Sequence, residues 1–176
     1  MLDALISSKT RIKLLLKFFL NASTTAYLRG LEEEFGESTN GIRIELNRFQ
    51  KAGMLTSHTQ GNRKYFQANP GHPLFKDIHN LLLKYIGFDS IVDYVVKRLG
   101  NLERVFVIGN FARGIDGDII DLVFVGDVDK IFLLELTEKV EKKINRKIRF
   151  VTFHPEEFHL ERIRDNTTEP LLLWSA

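Results

Sequence analysis

Along residues 11–19 (RIKLLLKFF), the apolar positions Ile12, Leu15, Leu16 and Phe19 recur at helical spacing, with Lys13 and Lys17 between them. That pattern predicts an amphipathic helix. Asn21, Ala22 and Ser23 interrupt it, and Thr24 or Thr25 can cap the next helix. Residues 26–35 (AYLRGLEEEF) set Tyr27, Leu28, Leu31 and Phe35 on one side, leaving Glu32, Glu33 and Glu34 as a solvated face. Gly36 ends that helix, and Ser38, Thr39 and Asn40 offer caps for another. From Gly41 the chain continues IRIELNRFQKAGML, which turns Ile42, Leu46 and Phe49 inward. It closes at Gly53, a residue able to adopt positive φ. Two β-prone runs, residues 55–59 and 64–68, then flank Gln60-Gly61-Asn62-Arg63. A Gly-Asn pair between such runs signals a hairpin.

Asn69-Pro70-Gly71-His72-Pro73 is the clearest punctuation in the chain. Beyond it, residues 74–86 return to helical period through Phe75, Ile78, Leu82 and Ile86, and Gly87 interrupts. Residues 90–99 form a further helix, capped by Asp89 or Ser90. Residues 102–108 (LERVFVI) are a buried-type strand running into a turn over residues 109–114, and residues 119–126 are a second strand. An amphipathic helix over 131–144, a strand over 147–153, a helix opening at Pro155 and a last strand over 170–174 complete an α+β pattern. The organisation expected is three parts: residues 1–70, a helical linker and possible dimer contact over 71–100, and residues 101–176.

Composition narrows the function. The chain has 176 residues, 44% hydrophobic and 27% charged, which excludes collagen-like and disordered classes. Zero Cys excludes a disulfide scaffold, a thiolate zinc site and a cysteine nucleophile. The five His show no i, i+4 spacing, so no metal is expected of them. No apolar run is long enough to span a bilayer, and Lys17 breaks the longest. The opening MLDALISSKTR has no basic lead-in and apolar core, so a cytoplasmic protein without a membrane partner is expected. The net charge of +2 hides an asymmetry. Residues 1–70 hold 10 basic and 6 acidic side chains (+4), and residues 71–176 hold 15 and 17 (−2). A basic first third suits a nucleic-acid-facing module.

Helix, short helix, tight turn, helix and basic hairpin are the order of a winged helix-turn-helix. The stretch resembles the ArsR- and MarR-like families, whose recognition helix ends in Leu-x-x-Leu-x-x-Ala-Gly-Leu. Here that segment is Leu46-Asn47-Arg48-Phe49-Gln50-Lys51-Ala52-Gly53-Met54-Leu55. The resemblance implies double-stranded DNA as partner and a homodimer to match two-fold operators. With Ile42, Leu46 and Phe49 inward, Thr39, Asn40, Arg43 and Asn47 face outward. Arg suits guanine and Asn suits adenine. Asn62, Arg63 and Lys64 on the hairpin reach phosphate or the minor groove, and Lys13 and Lys51 add backbone contacts. Outward Glu45 would repel phosphate.

The second half carries Gly109-Asn110-Phe111-Ala112-Arg113-Gly114, then Ile119-Ile120-Asp121 on the next strand. This resembles the minimal, DNA-polymerase-beta-like nucleotidyltransferase fold, marked by Gly-Ser-x-Ala-x-Gly and a following Ser-Asp-x-Asp. In that family the acids hold divalent metal. Asn110 stands where the family has Ser, and Asp121 matches the second Asp. Ile119 replaces the first, and residues 149–153 hold no third acid. Asp118 and Asp121, at i and i+3, do not share a strand face. The resemblance therefore implies a vestigial nucleotide site at Gly109, Asn110, Arg113 and Asp121, with no catalytic residue, no metal and no resident Mg-nucleotide. A surface salt bridge is the alternative role for Arg113.

Taken together, the two halves resemble prokaryotic regulators that fuse an ArsR/MarR-like winged helix to a degenerate nucleotidyltransferase-like domain. That implies sequence-specific DNA binding, with a sensory or assembly role for the second domain and an effector of unknown chemistry. Two other readings use the same residues: an active Mg-dependent nucleotidyltransferase, and a toxin–antitoxin-like interaction module.

Overall fold

Ser8 accepts the Arg11 backbone N–H at 3.2 Å and so caps the first sizeable helix. The computed structural model describes residues 2–165 and 168–176. After α1 (Leu2–Leu5), α2 (Lys9–Leu15) runs on into a π-helical turn, Leu16–Leu20. That wider turn buries Leu16, Lys17, Phe18, Phe19 and Leu20 in succession, which a regular α-period does not do. Thr24 and Thr25 do not cap the next helix. Thr25–Tyr27, β-branched and aromatic at its ends, is instead a strand, β1. α3 (Leu28–Phe35) follows with Tyr27 at its N-cap and ends at Gly36. Ser38 caps α4 (Thr39–Lys51), which buries Ile42, Leu46 and Phe49 as its spacing predicts. Gly53 takes φ 72°, the left-handed turn expected after this helix.

β2 (Leu55–Gln60) and β3 (Arg63–Ala68) pair antiparallel through a two-residue Gly61-Asn62 turn. β1 adds to the far side of β3, giving the order β1-β3-β2. Arg63 is thus the first strand residue, paired with Gln60, and the tip is Gly61-Asn62. α5 (Phe75–Ile86) sets Phe75 5.7 Å from Phe19, and His79 Nδ1 lies 2.8 Å from the Phe19 carbonyl.

α6 (Phe88–Tyr94) and a 3-10 turn, Val96–Arg98, replace the single helix expected over 90–99, and Gly87 rather than Asp89 or Ser90 precedes α6. Then come β4 (Leu102–Ile108), a short α7 (Gly109–Ala112), β5 (Ile119–Gly126), α8 (Lys130–Ile144), β6 (Lys147–Phe153) and β7 (Leu171–Ser175). Pro155 opens only a 3-10 turn, not a helix. The sheet order is β6-β5-β4-β7. β4 is antiparallel to both β5 and β7, while α8 carries the crossover that makes β5 and β6 parallel. One face packs Phe106, Val123 and Val125 with Phe158, and α8 turns Leu133, Leu136 and Val140 inward.

The chain divides into two units, residues 2–82 and residues 83–176, so the boundary falls within α5 and residues 71–100 are shared between them. The architecture is mixed α and β. No helix among the described residues is long and apolar enough to cross a membrane.

Candidate nucleic-acid interface

The first unit sorts its charges. Arg11 of α2 donates to both Glu45 carboxylate oxygens, at 2.9 and 3.1 Å, and Arg48 donates to the same group at 3.0 Å. Lys13 pairs with Glu37 at 2.6 Å and donates to the Phe35 carbonyl. Lys17, only 8% exposed along its side chain, pairs with Glu34 at 2.7 Å. These contacts bear on three sequence-based expectations. Glu45 does not face outward, because it is 6% exposed and neutralised from α2. Lys13, 41% exposed along its side chain, is paired with Glu37 and lies outside the cleft beside α4. Glu34 stays on the exposed face of α3 and also serves as the counter-charge of Lys17.

Of the six other basic residues in 1–70, four gather elsewhere, and Lys9 and Lys51 stand apart from them. A cleft of about 710 Å³ runs between α4, the start of α3 and the β2–β3 hairpin. Its walls carry Arg29, Arg43, Arg63 and Lys64 against one acid, Glu33. Asn47 and Asn62 add amide groups, and Leu28, Leu46 and Phe66 form an apolar floor. Arg43 and Asn47 stand one helical turn apart on α4 and are exposed. The Arg63 guanidinium lies 4.5 Å from the Tyr27 ring centroid. A hydrogen bond to Tyr65, then the neighbouring tyrosines, push its pKa further up, so it is always charged. Lys64 Nζ donates to Gln50 Oε1 at 2.8 Å and sits over Phe66.

Of the nine residues expected to meet DNA, Arg43, Asn47, Asn62, Arg63 and Lys64 line this cleft, and Lys13 does not. Thr39, Asn40 and Lys51 lie outside it, at the two ends of α4. Sequence reasoning missed Tyr27, Arg29 and Glu33. The signal available was Arg29, a lone cation in an otherwise acidic helix. It was hidden because the start of that helix was placed before Tyr27, whereas the helix begins at Leu28.

The second unit holds the other expected site. Gly109 takes φ 67°, and a Cβ built on it would meet Asp121 Oδ2 at 2.8 Å. Only glycine allows β5 to bring that carboxylate so near the turn. Asp121 faces Arg149 in the parallel register of β5 and β6. Arg149 holds both of its oxygens, at 2.7 and 3.0 Å. A guanidinium therefore stands where the resemblance calls for a third acid. Asp118 is exposed in the loop before β5, three residues from Asp121. Among the described residues, no three His, Asp or Glu side chains come together. A divalent cation needs several oxygen ligands at once. This donor set does not fit one. Asn110 is exposed at the start of α7. Arg113 forms no ion pair among the described residues, contrary to its alternative role, and its Nε is buried without a hydrogen-bond partner.

No family model matches the chain, and no curated protein matches it. Among solved structures it is similar to a mutant of the toxin–antitoxin pair MntA–HpeT, at 15% identity over 51% of this chain and 73% of that one, with a TM-score of 0.41. It is similar to a candidate nucleotidyltransferase from Sulfolobus solfataricus, at 21% identity over 53% and 82%, TM-score 0.37. A candidate transcriptional regulator for arsenical resistance gives 20% identity over 53% and 90%, TM-score 0.31.

Proposed function

We propose that the first unit is a winged helix-turn-helix and that the protein is a sequence-specific, DNA-binding transcriptional regulator acting as a homodimer. The observation that supports this is the sorting of charge. Arg11, Lys13, Lys17 and Arg48 are paired with acids of the same unit, while Arg29, Arg43, Arg63 and Lys64 meet in one cleft beside α4. A helix that presents Arg43 and Asn47 can read base edges in the major groove. The hairpin cations beside it contact the backbone or the minor groove. In this reading residues 1–70 bind DNA, residues 71–100 link and dimerise, and residues 101–176 are a nucleotidyltransferase-like domain that has lost its metal chemistry. That last part serves sensing or assembly. Its assembly role is favoured by Ile131, Phe132 and Leu134 of α8, exposed by 74, 40 and 51%.

The test is selection from pooled host genomic fragments at two salt concentrations, followed by sequencing of what stays bound. Enrichment of a common, roughly palindromic site is expected, with affinity falling steeply as salt rises. Arg43→Ala should relax preference at one base pair by about 1–3 kcal/mol. Wild-type protein that binds no fragment at either salt overturns the reading.

A further inference from the structure

β1 pairs with β3 at Tyr27 and Tyr65. β3 extends past that pair to Arg63, while the chain after Tyr27 turns into α3. The register therefore carries Arg63 to the first turn of α3, where Arg29 lines the same cleft. The two cations differ in freedom. Arg63 is stacked on Tyr27 at 4.5 Å. Arg29 is exposed and makes no ion pair among the described residues. Glu33, one helical turn along α3 from Arg29, is the cleft's one carboxylate. Like charges held in one cleft favour an anion between them.

Resting on the DNA-binding reading above, we propose that Arg29 and Arg63 grip one backbone phosphate of duplex DNA from two sides. Tyr27 is the positioning residue that fixes Arg63, and Glu33 is the nearby negative charge that opposes a phosphate in the cleft. Stacking on an aromatic face holds a guanidinium in place without using up its hydrogen-bond donors. Tyr65 takes one Arg63 donor, and the others stay available for two phosphate oxygens. Such a grip reads no bases. It fixes the angle and depth at which α4 enters the groove, so Arg43 and Asn47 meet their bases in register.

The experiment is fluorescence anisotropy of the full chain on two duplexes, the one enriched by genomic selection and one of mixed sequence. Salt is varied from about 50 to about 200 mM. Arg29→Ala is expected to weaken binding to both duplexes by the same factor, about three- to tenfold, and to lower the salt slope by about one. Glu33→Gln is expected to strengthen both alike. Tyr27→Ala should reproduce the loss of Arg63→Ala, Tyr27→Phe should keep wild-type binding, and the double variant should be no weaker than either single one. Circular dichroism melts identify any variant that fails to fold, and Arg29→Ala and Tyr27→Phe carry the test in that event. Wild-type affinity and slope in Arg29→Ala, or a loss confined to one duplex, overturns the grip and leaves the DNA-binding reading standing. No binding of either duplex by the wild type overturns that reading itself.

Discussion

Glu45 lies on the buried side of α4 and takes its hydrogen bonds from Arg11 and Arg48. The Arg11 bond holds its carboxyl below the ordinary glutamate range, against the opposing pull of burial. A carboxyl lowered in the folded state stabilises the fold above its unfolded value, about 4.3. That contribution is lost as pH falls through the folded value. Glu45→Gln should therefore cost about 1–3 kcal/mol at neutral pH, and the difference from wild type should shrink toward zero as the solution is made strongly acidic. Urea denaturation over a pH series checks this, and a loss that is the same at every pH would refute it. In the second unit, Gly109→Ala should cost about 1–3 kcal/mol in thermal unfolding, from the positive φ and the approach of Asp121. Adding Asp121→Ala should restore part of that loss, since it removes the atom the new Cβ meets. No recovery in the double variant would mean the backbone conformation accounts for all of it.

Among the elements, the π-helical turn at Leu16–Leu20 gives an asymmetric pair of expectations. Glu34→Ala leaves the Lys17 ammonium buried without its partner and should cost about 3 kcal/mol. Lys17→Met fills the same space with apolar atoms and should cost under about 1 kcal/mol. Urea midpoints of the two variants compare them directly, and equal losses would contradict the account. The same turn shows where the sequence was legible and where it was not. Ile42, Leu46 and Phe49 on α4, the Gly61-Asn62 hairpin and the strands over 102–108, 119–126 and 147–153 followed from period and turn chemistry. The π-turn did not, because its side chains show only an apolar run and the altered hydrogen bonding leaves no residue signature. β1 was missed because three residues are too few to show an alternation, and its strand character comes from pairing with β3. The Glu45 and Glu34 pairs are long-range contacts with α2 and its extension, which local pattern cannot reveal. Arg149 was visible as a missing acid, but its hold on Asp121 needed the β5–β6 register.

At the scale of the molecule, the net charge is nearly balanced, and what matters is where the unpaired cations lie. If the dimer is held by α8 rather than by residues 71–100, Ile131→Asp should convert it to a monomer in sedimentation velocity. It should also weaken binding to a two-half-site duplex far more than to a single half-site. A variant that sediments as wild type would move the dimer contact away from α8. Finally, a π-turn is a helix with one residue too many, and that bears on how relatives of this chain should be aligned. Deleting any one residue within Leu16–Leu20 would look minor in an alignment, yet it restores α-geometry. Five π residues turn the chain by about as much as four α residues, so the segments on either side keep nearly the same orientation. Arg11, which precedes the turn, can then keep Glu45. A relative with a single-position gap here should therefore retain residues 11 and 45.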